Sequence, residues 1–129
     1  MIDTSFFHAY DIRGLIDSEL NSETVENLGK AFGTIVKGKP VVVGHDIRYS
    51  SKKINSAFIK GLVSTGCHVT DIGECPSPML FYNAFHLKQV GAMITASHNP
   101  AEYTGFKFVE PSGLSFLDLY VEIKEVYEL

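Results

Sequence analysis

Apolar and polar positions along the chain switch between two periods, which predicts helices and buried strands in turn. After Asn21, apolar residues recur at the spacing of one helix face: Val25, Leu28, Phe32 and Ile35. Asn21 is the predicted N-cap of this helix and Gly38 its stop. The next apolar run, "PVVVG" at residues 40–44, is short and β-branched, as expected of a strand buried on both faces.

Three further helices and three further strands continue the alternation. Ser50 and Ser51 are predicted to cap a second helix that ends at Gly66. Its apolar positions keep helical spacing: Ile54, Ala57, Phe58, Gly61, Leu62 and Thr65. The remaining predicted elements are a strand over 68–73, a helix from Ser77 to about Leu87, a strand over 90–95, a strand over 105–110 with one wetter face, a turn over 110–113 and a helix from about Phe116.

Strands that alternate with helices predict an α/β domain of three layers. We expect a mostly parallel mixed sheet of about four main strands, flanked by helices on both faces. Residues 1–129 are predicted to form one domain, because no linker, low-complexity segment or clear repeat interrupts the pattern. Ligands of such sheets bind at the carboxyl ends of the strands. Polar residues follow three of these ends: Asp46, Arg48, Glu74 and Ser97.

Composition and charge exclude several classes of function. A hydrophobic fraction of 45% and a charged fraction of 20% predict a soluble globular protein, and the net charge of −4 gives nucleic-acid binding no electrostatic support. No apolar run approaches the ~20 residues of a membrane span, and no secretory signal is visible. Cys67 and Cys75 are too few for a disulfide framework and are predicted to be reduced and partly buried. These properties predict a cytoplasmic location.

Ser97 is the first candidate for chemistry, because it follows a buried strand. A serine hydroxyl is a weak nucleophile that needs a base or a strong electrophile. The adjacent His98 would point to the opposite side of an extended backbone, so it pairs poorly with Ser97. The Gly-x-Ser-x-Gly elbow of hydrolases is also missing. A serine acyl hydrolase is therefore the weaker interpretation.

Phosphoryl transfer makes different demands, since Ser97 could carry the phosphoryl group as an ester. Cations and hydrogen-bond donors must then surround the phosphate. Lys107, Arg13 and Arg48 could supply this charge, with the planar arginine fork suited to phosphate oxygens. The alternative is a solvated loop whose basic residues form surface ion pairs of little energetic weight.

Three motifs in order, "AYDIRG", "VVVGHDIRYSS" and "TASHNPAEYTGFK", resemble the signatures of the first domain of the α-D-phosphohexomutases, the phosphomannomutase/phosphoglucomutase family. The resemblance implies that Ser97 is phosphorylated in the resting enzyme. Ser97 would pass its phosphoryl group to a hexose phosphate, forming a bisphosphorylated sugar, and then take the other phosphate back. The net reaction interconverts hexose 1-phosphate and hexose 6-phosphate, with mannose or glucose as the sugar.

The resemblance also implies a role for each matching residue. Its catalytic residues are Ser97, His98, Lys107 and Arg13, with His98 near the reacting sugar hydroxyl and Lys107 as general base or acid. Its substrate- and phosphate-binding residues are Arg48, Asn99 and Tyr103, although Arg48 could organise the loop instead. The Ser97 phosphate would help bind Mg²⁺, whose other ligands belong to a later domain. Glucose or mannose 1,6-bisphosphate is the implied activator and intermediate.

The resemblance is incomplete in two residues and in the domains that the sequence covers. Thr104 stands where the family usually has Asn, and His45 where it often has Arg. The family's later domains carry the remaining metal ligands and the sugar-recognition loop, so residues 1–129 are expected to be an inactive N-terminal domain when isolated. Its partners would be a hexose phosphate and those later domains. The alternative is a non-catalytic module that binds phosphate or a partner.

Overall fold

A computed structural model describes residues 3–8, 11–96, 99–114 and 119–129, with the backbone only for residue 119. The elements in chain order are β1 (Ile12–Leu15), α1 (Ser22–Ile35), β2 (Val41–His45), α2 (Ser51–Ser64), β3 (Val69–Glu74), α3 (Ser77–Leu87), β4 (Val90–Ile94), β5 (Tyr103–Val109) and α4 (Leu119–Tyr127). The predicted alternation of strands and helices is confirmed. The predicted start of the last helix, Phe116, lies outside the described residues.

The strands form one mixed sheet in the order β1-β5-β4-β2-β3. β2 runs parallel to both β3 and β4, whereas β5 runs antiparallel to both β4 and β1. The predicted α/β class is therefore confirmed, but the sheet has five strands rather than about four. The additional strand is β1, whose four residues include a charged arginine and a glycine and therefore lack an apolar run.

Helices cover both faces of the sheet. On one face, α1, α2 and α4 pack over a large core in which Phe32 and Phe58 meet Phe106 and Phe108 of β5. On the other face, α3 packs over β2 and β4 through a smaller cluster that contains Leu80. Because β2 and β4 lie between the two layers, all of their positions are buried, as their apolar runs predict.

Helix ends follow the predicted turn chemistry with one exception. The Asn21 side chain accepts a hydrogen bond from the Thr24 backbone N–H at 2.9 Å, which confirms it as the N-cap of α1. Gly38 and Gly66, with φ of 71° and 92°, follow α1 and α2. Ser50 is the N-cap residue of α2, as predicted, but its side chain makes no capping hydrogen bond, and the Ser51 hydroxyl donates to Asp46.

Both cysteines, Cys67 and Cys75, are unpaired, as predicted, and are buried more fully than the predicted partial burial. Burial, and secondly the charge of Asp71, raises the pKa of the Cys75 thiol, so this group stays protonated at neutral pH. Among the described ranges, none of the helices combines the length and the apolar character that crossing a bilayer requires.

Candidate functional site

The segment that contains Ser97 leaves the carboxyl end of β4 and leads into β5; we call residues 95–103 the serine loop. Ser97 and His98 themselves lie outside the described residues. Their described neighbours are hydrogen-bonded to each other, because the Asn99 backbone N–H donates to the Ala96 carbonyl at 3.1 Å. The Thr95 backbone N–H donates to the Gly105 carbonyl at 2.9 Å, which ties the start of the loop to β5.

Arg13 reaches the serine loop from β1. Its backbone lies in register with Gly105 of β5. A Cβ atom at position 105 would meet the Ile12 carbonyl and lie 3.1 Å from Arg13 Cγ, so the glycine lets β1 and the arginine stem pack closely against β5. The guanidinium donates from Nε to Asp11 Oδ2 at 2.6 Å and from Nη1 to Asn99 Oδ1 at 2.7 Å. Two residues predicted for the site, Arg13 and Asn99, are thus in direct contact.

Arg48 holds the main chain of the same loop. Its Nη2 donates to the Asn99 carbonyl at 2.7 Å, and its Nη1 donates to the carbonyls of Pro100 at 2.6 Å and Tyr103 at 3.3 Å. Its Nε donates to Asp46 Oδ2 at 3.0 Å. The hydrogen bonds described for Arg48 therefore go to loop carbonyls and to a carboxylate, while its proposed contact with substrate phosphate stays a prediction.

Asp46 connects Arg48 to the rest of the fold. Its Oδ1 accepts hydrogen bonds from the Arg48 backbone N–H and from the hydroxyl of Ser51, a fully buried residue in the first turn of α2. The Asp46 backbone N–H donates to the Ile94 carbonyl at the end of β4. The ends of β2 and β4 and the start of α2 therefore converge on one residue, Asp46, through its carboxylate and its backbone N–H.

Lys107 and Arg13 share one face of the sheet. Lys107 follows Gly105, the register partner of Arg13, by two residues, and alternate residues of a strand point to the same side. Lys107 is half-buried and lies opposite Met93 of β4. Within the described ranges, its ammonium group forms no ion pair or hydrogen bond. Tyr103 is half-buried, and its carbonyl accepts from Arg48.

The two departures from the family pattern occupy buried positions. Thr104 is fully buried on the core face of β5, opposite to the side of Lys107, and its hydroxyl has no hydrogen-bond partner among the described residues. His45 is 9% exposed at the end of β2, with Nδ1 2.8 Å from the Asp46 carbonyl oxygen. Both substitutions therefore change packed surroundings of the site rather than its exposed surface.

Sequence reasoning missed the partners that hold the two arginines. Asp11 pairs with Arg13, and Ser51 supports Asp46. A signal was present, because both motifs repeat the spacing of an aspartate two residues before an arginine, "DIR". In both copies the aspartate accepts from the arginine Nε. The repeated tripeptide thus predicts a local ion pair that orients each guanidinium.

Metal ligands do not cluster in the part of the chain that the structure describes, where no group of three His, Cys, Asp or Glu side chains could hold an ion. Mg²⁺ requires near-octahedral oxygen coordination. The described residues therefore do not constitute a magnesium site by themselves.

Comparison with known proteins identifies the family. Residues 4–128 match the family described as "Phosphoglucomutase/phosphomannomutase, alpha/beta/alpha domain I". A phosphoglucomutase/phosphomannomutase of Thermococcus kodakarensis is 42% identical over 84% of this chain and 25% of its own length. A phosphomannomutase/phosphoglucomutase of Pseudomonas aeruginosa is 44% identical over 84% of this chain and 24% of its own length. The chain thus spans about a quarter of the length of these curated relatives.

Solved structures agree with the sequence comparison. A phosphoglucomutase/phosphomannomutase family protein from Burkholderia thailandensis superposes with a TM-score of 0.87 at 30% identity, over 99% of this chain and 31% of the other. A structure titled as a putative phosphomannomutase from Thermus thermophilus gives a TM-score of 0.83 at 35% identity, over 95% and 29% of the two chains. The chain therefore belongs to the phosphoglucomutase/phosphomannomutase family of α-D-phosphohexomutases, as its N-terminal domain I.

Proposed function

We propose that this chain is the phosphoserine domain of an enzyme that interconverts the 1-phosphate and 6-phosphate of mannose or glucose. Membership of the family over residues 4–128 and the names of its relatives support the reaction class. Because the chain spans about a quarter of those relatives, the complete activity is assigned to a longer protein, which we call the full-length enzyme.

The observation that carries the proposal is the attachment of the serine loop. Asn99, two residues after Ser97, is held through its side chain by Arg13 and through its carbonyl by Arg48. Two guanidinium groups, one on β1 and one in the segment between β2 and α2, therefore hold a residue that lies two positions after the reactive serine. This arrangement supports phosphoryl transfer, because fixed positive charge stabilises the charge on a transferring phosphoryl group.

In the proposed reaction, the bond between phosphorus and the Ser97 oxygen breaks as phosphorus bonds to a hydroxyl of the hexose phosphate. The attacking hydroxyl gives up its proton to a base, and the released serine oxygen gains a proton. Lys107 is the proposed proton acceptor, and His98 lies next to the serine in sequence. The second half repeats these steps in reverse with the sugar's other phosphate, which restores the phosphoserine.

Mg²⁺, when bound through the Ser97 phosphate, would neutralise part of the phosphoryl charge. Since the described residues do not constitute its site, we assign its remaining ligands to the rest of the full-length enzyme. Glucose or mannose 1,6-bisphosphate is the proposed intermediate.

The experiment that tests the proposal is intact-mass analysis combined with a mutase assay. After incubation with glucose 1,6-bisphosphate, the full-length enzyme should carry one phosphoryl group that Ser97→Ala removes and the control Ser112→Ala, at an exposed turn, retains. The full-length enzyme should convert glucose 1-phosphate, whereas residues 1–129 alone should not. If Ser97 stays unmodified and the full-length enzyme lacks mutase activity, the proposal is refuted. The alternative, a non-catalytic module that binds phosphate or a partner, would then be favoured.

A further inference from the structure

We infer that Asp46 is a positioning residue: it orients Arg48, and Arg48 fixes the main chain of the serine loop rather than binding substrate phosphate. The effect on turnover rests on the proposed function, but the effect on the loop does not. In the described part of the chain, the Asp46 side chain hydrogen-bonds to Arg48 and Ser51 and to no residue of the serine loop, so we route its influence on the loop through Arg48.

The direction of the Arg48 hydrogen bonds supports this division of roles. All three of its side-chain nitrogens donate to protein acceptors, and three of those acceptors are carbonyls within residues 99–103. The Arg48 side chain is 13% exposed. A guanidinium is suited to this task because its planar fork binds several acceptors in fixed directions. A lysine ammonium carries its three donors on a single nitrogen, so it cannot reproduce this fork.

Hydrogen bonds to α2 and β4 hold Asp46 in place. One carboxylate oxygen accepts from the Ser51 hydroxyl and the Arg48 backbone N–H, and the other accepts from Arg48 Nε. The Asp46 N–H also bonds to the end of β4, the strand that leads into the serine loop. Strand, helix and loop therefore meet in one network, in which a charge-assisted hydrogen bond sets the guanidinium plane.

The loop needs such a support because of its own sequence. Pro100 donates no backbone N–H and restricts the backbone of Asn99, so this residue cannot contribute a donor to the loop. Arg48 donates hydrogen bonds to the carbonyls of Asn99 and Pro100, the two residues that this peptide bond joins. Since a displacement of about 1 Å at a reacting group costs on the order of a hundredfold in rate, small changes in this support are expected to reach Ser97.

A first test measures the loop without any activity. Hydrogen exchange of the Asn99 and Tyr103 amides, which donate to Ala96 and Pro100 carbonyls, should accelerate at least about tenfold in Asp46→Asn and Arg48→Lys. Asp17→Asn, at an exposed turn with φ of 68°, is the matched control and should leave both rates unchanged. Unchanged exchange in both Asp46→Asn and Arg48→Lys would overturn the inference, whatever the protein catalyses.

A second test measures kinetics in the full-length enzyme. Positioning predicts that Asp46→Ala and Arg48→Ala lower kcat with KM for hexose phosphate changed less than about twofold. The double variant should be no slower than Arg48→Ala alone, and added guanidinium ion should restore part of the kcat of Arg48→Ala. A large rise in KM with kcat preserved, or losses that add in the double variant, would overturn the inference. An inactive wild type with the exchange effect intact would refute only the proposed function.

Discussion

The Arg13 guanidinium on β1 and the Asn99 side chain in the serine loop form a hydrogen bond of 2.7 Å across a sequence separation of 86 residues. This contact joins the first motif of the chain to the last. β1 lies at the edge of the sheet, next to β5. From that position the Arg13 stem packs against Gly105 and its guanidinium reaches the loop.

Asn99→Ala should slow phosphoryl transfer without unfolding the domain. Removing the amide frees Arg13 from the loop, and we expect kcat of the full-length enzyme to fall about tenfold to a hundredfold, since orientation is lost. The free energy of unfolding should fall by about 1 kcal/mol or less, the value of one hydrogen bond. Asn27→Ala, at an exposed position of α1, is the control. A kcat equal to that of Asn27→Ala would contradict the prediction.

Lys107→Met should affect turnover far more than stability. If Lys107 transfers the proton, its loss should lower kcat by a factor of about 10² to 10⁴. Thermal unfolding should be unchanged, because among the described residues no ion pair depends on this ammonium. Lys124→Met on α4 serves as the matched substitution. A variant that retains most of its kcat would exclude Lys107 as the base.

The close contact between α1 and α2 at Gly61 predicts a packing defect. A Cβ on Gly61 of α2 would meet the Glu26 carbonyl and lie 2.9 Å from the Gly29 Cα of α1. Gly61→Ala should therefore lower the free energy of unfolding by about 1–2 kcal/mol, because an overpacking cost of up to about 3 kcal/mol against backbone atoms is only partly offset by the helix-propensity gain of about 1 kcal/mol. Urea denaturation, with Ser56→Ala on the exposed side of α2 as control, measures the loss. A stabilised Gly61→Ala would show that the helices can separate without cost.

Sequence patterns predicted most helices and strands and singled out the two arginines of the site. They did not predict the long-range contacts through which these arginines act. The cap at Asn21 and the buried strands β2 and β4 were predictable, because each depends on residues near one another in sequence. β1 was not, since a short strand with a charged residue has no apolar run and exists through pairing with β5. Arg48 binds backbone carbonyls, which every residue has, so the residue types in the sequence do not indicate which carbonyls it will bind.

Tyr120 on α4 predicts a pH-dependent contribution to stability. Its phenol oxygen accepts a hydrogen bond from the Phe108 backbone N–H of β5 at 3.0 Å, and the residue is 2% exposed. Tyr120→Phe leaves that buried N–H without its partner, so we expect the free energy of unfolding to fall by about 1–3 kcal/mol at neutral pH. Burial raises the pKa of Tyr120 from 10.0 to about 12.

The sign of the pH effect follows from that shift. The unfolded state releases the phenol proton near pH 10.0, whereas the folded state retains it to about 12, so raising the pH through this window favours unfolding. The stability gap between wild type and Tyr120→Phe should therefore be constant below pH 10.0 and shrink above it. Urea denaturation across this range measures the gap. The control is Tyr49→Phe, at a fully exposed tyrosine, whose free energy of unfolding should match that of the wild type. A gap that stays constant through the window would mean that the Tyr120 phenol ionises equally well in both states.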